Sequence, residues 1–138
     1  MNSIRFILFN ALLITIFTTA RTVDIANTRQ KIKALNDHCI ALQDIIKESE
    51  SLSKEEAAQV VPRKLHNYYI SRAQQYNLTF TLFEAEKQRL KYAMQEKLNI
   101  PERASLKLKI KYIDKKKQLL IIRSQKLLLL MREFEQNN

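Results

Sequence analysis

Hydrophobic positions recur with a seven-residue period near the start of the chain. The residues that form this period are Ile25, Ile32, Cys39 and Ile46, with Leu35 and Leu42 at the alternate positions. This spacing produces one narrow apolar stripe of the coiled-coil kind along a helix. The pattern predicts a first helix over residues 22–50, which ends where the serines of ESESLS compete for backbone hydrogen bonds.

A second helix is predicted over residues 54–98. Ser53 followed by Glu56 is a capping box that marks its start, and Pro62 either falls in its first turn or kinks it. The short β-branched segment TFT favours a strand locally, but the sustained helical period around it outweighs that signal. The helix is expected to end near Asn99, because the residue before Pro101 is pushed out of the α region. Its apolar stripe consists of Tyr69, Ala73, Tyr76, Phe80, Phe83, Leu90 and Met94, with Lys87 as the polar interruption.

A third helix is predicted over residues 101–136. Pro101 fits its first turn, and the negative charge of Glu102 suits the positive end of a helix. The second half, LLIIRSQKLLLLM, carries large apolar groups all round, which is typical of a helix buried on several sides. The apolar stripe of the whole helix consists of Leu106, Ile110, Ile113, Leu120, Leu127, Met131 and Phe134.

The short break at residues 99–101 predicts that the second and third helices form an antiparallel hairpin. A tight turn there pairs residues whose numbers sum to about 200, so Lys87 should face Asp114. By the same rule, Glu84 and Glu86 should lie beside Lys117 and Lys115. The first helix should pack antiparallel on residues 57–80 and cover the apolar end of the third helix. The predicted fold is all-α: an antiparallel three-helix bundle or coiled coil, with a projecting two-helix hairpin arm at residues 81–118.

The first 20 residues have the pattern of a signal peptide. A start with one basic residue, Arg5, precedes an apolar core, and small residues lead to Ala20. The core contains Asn10 and is short for a membrane-spanning helix. We therefore expect cleavage after Ala20, a single helical domain over residues 21–138, and a secreted or periplasmic protein. The alternatives are an uncleaved membrane anchor through residues 4–20 and a buried cytosolic helix.

Charge is unevenly distributed along this chain of 138 residues, which has a formal net charge of +10. Residues 84–117 contain eleven basic and five acidic side chains, whereas residues 21–60 contain six and seven. The arm is therefore the predicted contact surface for an anionic partner, which could be an acidic protein, a membrane surface or nucleic acid. A secretory route disfavours nucleic acid. The candidate partner-binding residues are Lys97, Arg103, Lys107, Lys109, Lys111, Lys115, Lys116 and Lys117.

Other side chains carry weaker candidate roles. The single cysteine, Cys39, excludes an internal disulfide, so it is predicted to be either a buried thiol or one half of an intermolecular disulfide. Asn77 begins NLT, a pattern for glycosylation. Tyr68 and Tyr92 lie off the apolar stripe and are candidates for an exposed contact. His38 is next to Cys39 in the sequence, and neighbouring residues point to different sides of a helix, which disfavours a metal site.

The sequence predicts that the protein is not an enzyme and needs no cofactor. It has no glycine and two prolines, and no catalytic triad, metal-spaced cluster or phosphate-binding loop is apparent. The function that fits these features is binding to another protein, in an assembly, chaperone-like or effector role. Self-association is also expected, because the apolar surface of residues 119–134 exceeds what the first helix can cover. The alternatives are a membrane-anchored coiled-coil scaffold and a basic nucleic-acid-binding protein.

Overall fold

The computed structural model describes residues 24–137, and all regular structure in that range is helical. Helix α1 is Ile25–Glu48 and continues into a 3-10 turn at Ser49–Ser51, helix α2 is Lys54–Ala93, and helix α3 is Ile100–Asn137. Helix α2 packs against both α1 and α3, and the described residues contain helices and no strand, which confirms the all-α class. The predicted signal peptide at residues 1–20 and the first residues of the predicted first helix lie outside the described residues.

The ends of α1 are fixed by short polar side chains. The Asp24 carboxylate caps the start by accepting the N–H of Asn27 at 3.1 Å. At the other end, the hydroxyl of Ser51 donates to the carbonyl of Glu48 at 2.8 Å. Because such bonds satisfy carbonyls that the helix leaves unpaired, the serine-rich segment ends α1 where the sequence predicts.

The start and interior of α2 follow the sequence signals. The Ser53 hydroxyl accepts the N–H of Glu56 at 3.3 Å, as expected of a capping residue. Pro62 lies inside the helix, so α2 has already begun before the proline. The segment TFT is helical, and the hydroxyl of Thr79 donates to the carbonyl of Gln75 at 2.7 Å.

Helix α2 ends at Ala93 rather than at the predicted residue 98. The N–H groups of Gln95 and Glu96 donate to the carbonyls of Tyr92 and Ala93, three residues back, so the α-helical bonding gives way to a turn there. Asn99 then caps the start of α3, because its side-chain oxygen accepts the N–H of Glu102 at 2.9 Å. Pro101 lies in the first turn of α3, as predicted.

The hairpin of α2 and α3 has the predicted register. The Lys87 ammonium lies 2.6 Å from the Asp114 carboxylate, and Lys117 pairs with Glu84. Both pairs have numbers that sum to 201. The buried cluster between the two helices contains Tyr69, Ala73, Leu127 and Met131, which the predicted register also places opposite one another.

One predicted hairpin pair is wrong. Glu86 was expected beside Lys115, but its carboxylate lies 2.7 Å from the guanidinium of Arg29 on α1. Glu86 follows Glu84 by two residues, which is about 200° around a helix. Glu86 therefore points away from Glu84 and lies on the side of α2 that faces α1.

Helix α1 packs antiparallel on α2. The amide of Gln43 donates to the Tyr68 hydroxyl at 3.1 Å, and the guanidinium of Arg72 donates to the Asn36 side chain at 2.9 Å. The residues of α2 that make these contacts, together with Glu86, belong to a second row of positions on α2. The positions of this row are spaced alternately by four and three residues. The row consists of Tyr68, Arg72, Gln75, Thr79, Leu82 and Glu86, and it lies beside the stripe that faces α3.

The section of the hairpin beyond α1 is shorter than the predicted arm at residues 81–118. Helix α1 reaches Glu86 rather than Phe80, and α2 ends at Ala93. The seven residues between those points correspond to about 10 Å at 1.5 Å per residue. We call residues 87–113 the hairpin tip.

Helix α1 does not cover the apolar end of α3. No Cα atom of α1 lies within 8 Å of a Cα atom of α3 in the described part of the chain. Leu119 and Leu129 are accordingly more than half exposed, and Ile122 is 48% exposed. The prediction that this end of α3 is buried on several sides is therefore wrong for the single chain.

Candidate binding surface

The hairpin tip concentrates positive charge at one end of the molecule. Residues 87–113 contain eight basic and two acidic side chains. The candidate partner-binding residues that are exposed are Lys97, Arg103, Lys107, Lys109 and Lys111 in the tip and Lys115 beside it. None of these six side chains forms a salt bridge with another residue of the described range.

Lys117 belongs to the hairpin packing rather than to the exposed surface. Its ammonium pairs with Glu84 and lies 5.2 Å from the centre of the Phe80 ring. Burial lowers the pKa of Lys117 from its ordinary value even though a carboxylate is adjacent. The cause is the loss of hydrating water around the charged ammonium.

Lys116 is half-buried and orients an aromatic side chain. Its ammonium lies 4.5 Å from the centre of the Tyr112 ring and 5.7 Å from that of Phe83. Attraction between a cation and the face of a ring favours this arrangement. Lys116 thus links Tyr112 to α2 while the ring keeps most of its surface open.

A shallow depression of about 430 Å³ lies on this side of α3. Its apolar lining comes from Leu108 and Tyr112, which are 69% and 60% exposed. Lys109, Lys111 and Lys115 complete the lining. Sequence reasoning missed Leu108 and Tyr112 because they lie off the main apolar stripe, although their four-residue spacing on a basic helix was a usable signal.

The two tyrosines predicted to be exposed differ in their surroundings. Tyr92 is 76% exposed at the end of α2, as predicted. Tyr68 is half-buried between α1 and α2, where its hydroxyl accepts from Gln43 and its ring lies 5.4 Å from the guanidinium carbon of Arg72. The prediction for Tyr68 is wrong because the row that faces α1 is polar and was not recognised as an interface.

Cys39 and Asn77 lie in the packed part of the fold. The Cys39 side chain has 0% exposure, and burial raises the pKa of its thiol. An intermolecular disulfide through Cys39 would require α1 to separate from α2. Asn77 is half-buried in the middle of α2, and the hydroxyl of Thr79 in the same NLT pattern donates to a backbone carbonyl.

We expect the Cys39 thiol of the folded protein to react with iodoacetamide at least about 100-fold more slowly than that of the unfolded chain. Alkylation requires an accessible thiolate, and burial of Cys39 both blocks access and keeps the thiol protonated. Mass spectrometry of alkylated protein at pH 8, with and without denaturant, measures both rates. Equal rates would show that Cys39 is open to solvent in the folded state.

The remaining chemistry of the described residues is sparse. His38 is exposed, and the ring of His66 lies 6.5 Å from that of Phe134. Within residues 24–137, no group of three histidine, cysteine or acidic side chains is placed to hold a metal ion. None of the described helices is both long and apolar enough to span a membrane.

Comparison with known proteins gives no relative. The sequence matches no protein-family model, and neither the curated proteins nor the solved structures contain a match. The interpretation of the basic surface therefore depends on its own geometry and charge.

Proposed function

We propose that this chain is a non-enzymatic, secreted or periplasmic helical protein that binds an acidic protein partner through the hairpin tip. The observation that carries the proposal is the exposed basic and apolar surface around Leu108 and Tyr112. The secretory route is supported by the signal-peptide pattern of residues 1–20.

A protein partner suits the composition of this surface better than nucleic acid does. Interfaces between proteins combine a buried apolar centre with a polar rim, and aromatic residues are enriched in them. Leu108 and Tyr112 supply such a centre, and the surrounding lysines favour carboxylates. Single-stranded nucleic acid would need several aromatic rings along one basic groove. Among the described rings of the tip, Tyr92 and Tyr112 are exposed, one on each helix, and Phe83 beside them is half-buried in the hairpin.

The shape of the tip also favours an interaction role. Beyond the Arg29–Glu86 pair, α2 and α3 continue without α1. They are held together there by the Lys87–Asp114 pair and by the Lys116 ammonium over the Phe83 ring. A surface that is fixed in position before binding loses less conformational entropy when a partner binds. The tip can therefore present its lysines without first becoming ordered.

The test is reversal of charge at Lys107, Lys109 and Lys111, each changed to Glu in the full chain. We expect binding to a fluorescent acidic peptide of alternating Glu and Leu residues to weaken by at least about 30-fold, because three attractive contacts become repulsive. Fluorescence anisotropy at roughly 0.15 M salt measures the change. At that salt concentration, attraction between charges that are not in direct contact is largely screened, so the signal reports direct contacts.

A matched control changes Lys31, Lys33 and Lys47 to Glu, which alters the net charge equally on the exposed side of α1. Binding that weakens as much in this control would assign the effect to net charge and contradict a site at the tip. Duplex DNA and vesicles of phosphatidylserine serve as competing probes. Tighter binding to either of them than to the peptide would contradict the proposal of a protein partner. It would indicate nucleic acid or a membrane surface as the partner instead.

A further inference from the structure

Helix α3 carries a second row of positions that α2 does not cover. The first row faces α2 and consists of Ile113, Lys117, Leu120, Ser124, Leu127, Met131 and Phe134, all buried or half-buried. The second row, which we call the outer row, is spaced alternately by four and three residues in the same way. It consists of Leu108, Tyr112, Lys115, Leu119, Ile122, Lys126 and Leu129, all exposed.

Two rows on one helix indicate two helical neighbours. Helix α2 demonstrates the principle, because one of its rows packs on α3 and the other on α1. The outer row of α3 is more apolar than the second row of α2, yet no helix of the described range packs on it. Leu119 is 56% exposed and Leu129 is 55% exposed, which is the kind of apolar patch that marks an interaction site.

The outward side of α1 carries a row of exposed carboxylates among basic side chains. The row consists of Asp37, Asp44 and Glu48, with Lys33 and Lys47 close to it, and Ile40 and Ile45 are exposed on its two sides. The carboxylates of this row suit the ammonium groups of the outer row, and the isoleucines suit its leucines.

The spacing of the charges also agrees. Lys115 and Lys126 on α3 are eleven residues apart, and so are Asp37 and Glu48 on α1. Eleven residues correspond to about 16.5 Å along a helix, so both basic groups can meet both acidic groups at once. Leu119 then lies between the two lysines, opposite the isoleucines of α1.

We propose that the outer row of α3 binds α1 of a second copy of this chain, with Lys115 and Lys126 opposite the carboxylates of Asp37 and Glu48. Pairing of α3 with α3 of a second copy is disfavoured, because it would bring like charges together. Two-fold symmetry makes the contact between α1 and α3 twice and closes the assembly as a dimer. The outer row shares Leu108, Tyr112 and Lys115 with the surface proposed for the hairpin tip. Lys107, Lys109 and Lys111 lie off the outer row, so the two proposals are tested by different variants.

The test is the mass of the full chain in solution, measured by sedimentation velocity with three variants. We expect the unchanged protein to be a dimer at micromolar concentration. Changing Lys115 and Lys126 to Glu, or Asp37 and Glu48 to Lys, should weaken the dimer by at least about tenfold, since each change opposes like charges. Combining all four changes should restore it, because the pairs are then reversed but intact.

Reversal of charge at Arg63 and Arg132 is the matched control, since both are exposed and lie off the outer row. It should leave the dimer intact, and circular dichroism should show unchanged helix content in every variant. A monomer at all concentrations would overturn the proposal. So would a dimer that tolerates the change of Asp37 and Glu48, because another occupant, such as α3 of the second copy or the apolar run of residues 4–20, would then cover the outer row.

Discussion

Replacing Leu120 by Ala is expected to lower the free energy of unfolding by about 3 kcal/mol. Leu120 lies on the row of α3 that faces α2, and it is 6% exposed. The substitution removes three carbon atoms from a closely packed position, and straight helices cannot fully collapse into the space. For a chain of this size, the melting temperature should fall on the order of 10 °C, measured by circular dichroism at 222 nm.

The next residue provides the control. Ile121 is 44% exposed and lies on neither row of α3. Replacing it by Ala removes the same number of carbon atoms, yet the expected loss is below about 1 kcal/mol, because nearly half of the residue is already exposed to water. Equal losses at the two positions would contradict the orientation of α3 in the hairpin.

The hairpin of α2 and α3 could be predicted from sequence because its contacts are largely apolar. Tyr69 and Ala73 stand on one stripe, and Leu127 and Met131 stand on the other. Both stripes carry the 3.5-residue period that burial between two helices imposes. The polar residues that interrupt the stripes also match, so the sequence predicts the pairing of Lys87 with Asp114.

The contact between α1 and α2 was only partly predictable, because the side of α2 that faces α1 is mainly polar. Arg72 bonds to Asn36 there, and Glu86 pairs with Arg29. A search for apolar periodicity does not register such a row, since hydrogen bonds between side chains replace apolar contact. For that reason Tyr68 was assigned to the exposed surface although it lies in an interface.

The candidate binding surface shows the same division between what the sequence can and cannot predict. A count of charged residues located the basic region, since charge is a property of the sequence itself. Which lysines remain exposed depends on pairing across the hairpin, and this removes Lys117 from the candidate set. Leu108 and Tyr112 lie off the apolar stripe of α3, so only their four-residue spacing on a basic helix indicates them in the sequence.

Changing Lys117 to Glu is expected to lower the free energy of unfolding by about 2 kcal/mol. The side chains of Lys117 and Glu84 are 17% and 29% exposed, so two carboxylates would be held together with little water between them. The remaining exposure keeps the expected loss below that of a fully buried pair. Urea unfolding measures it, and Lys109→Glu, an exposed change of equal charge, should cost less than about 0.5 kcal/mol.

The reversed pair distinguishes the interaction from the individual side chains. With Glu84→Lys added to Lys117→Glu, we expect most of the lost stability to return, because the ion pair is restored with its charges exchanged. A deficit of about 0.5 kcal/mol should remain, since the lysine no longer lies over the Phe80 ring. No recovery in the double variant would show that Glu84 and Lys117 do not interact across the hairpin, and the register of α2 and α3 would then have to be revised.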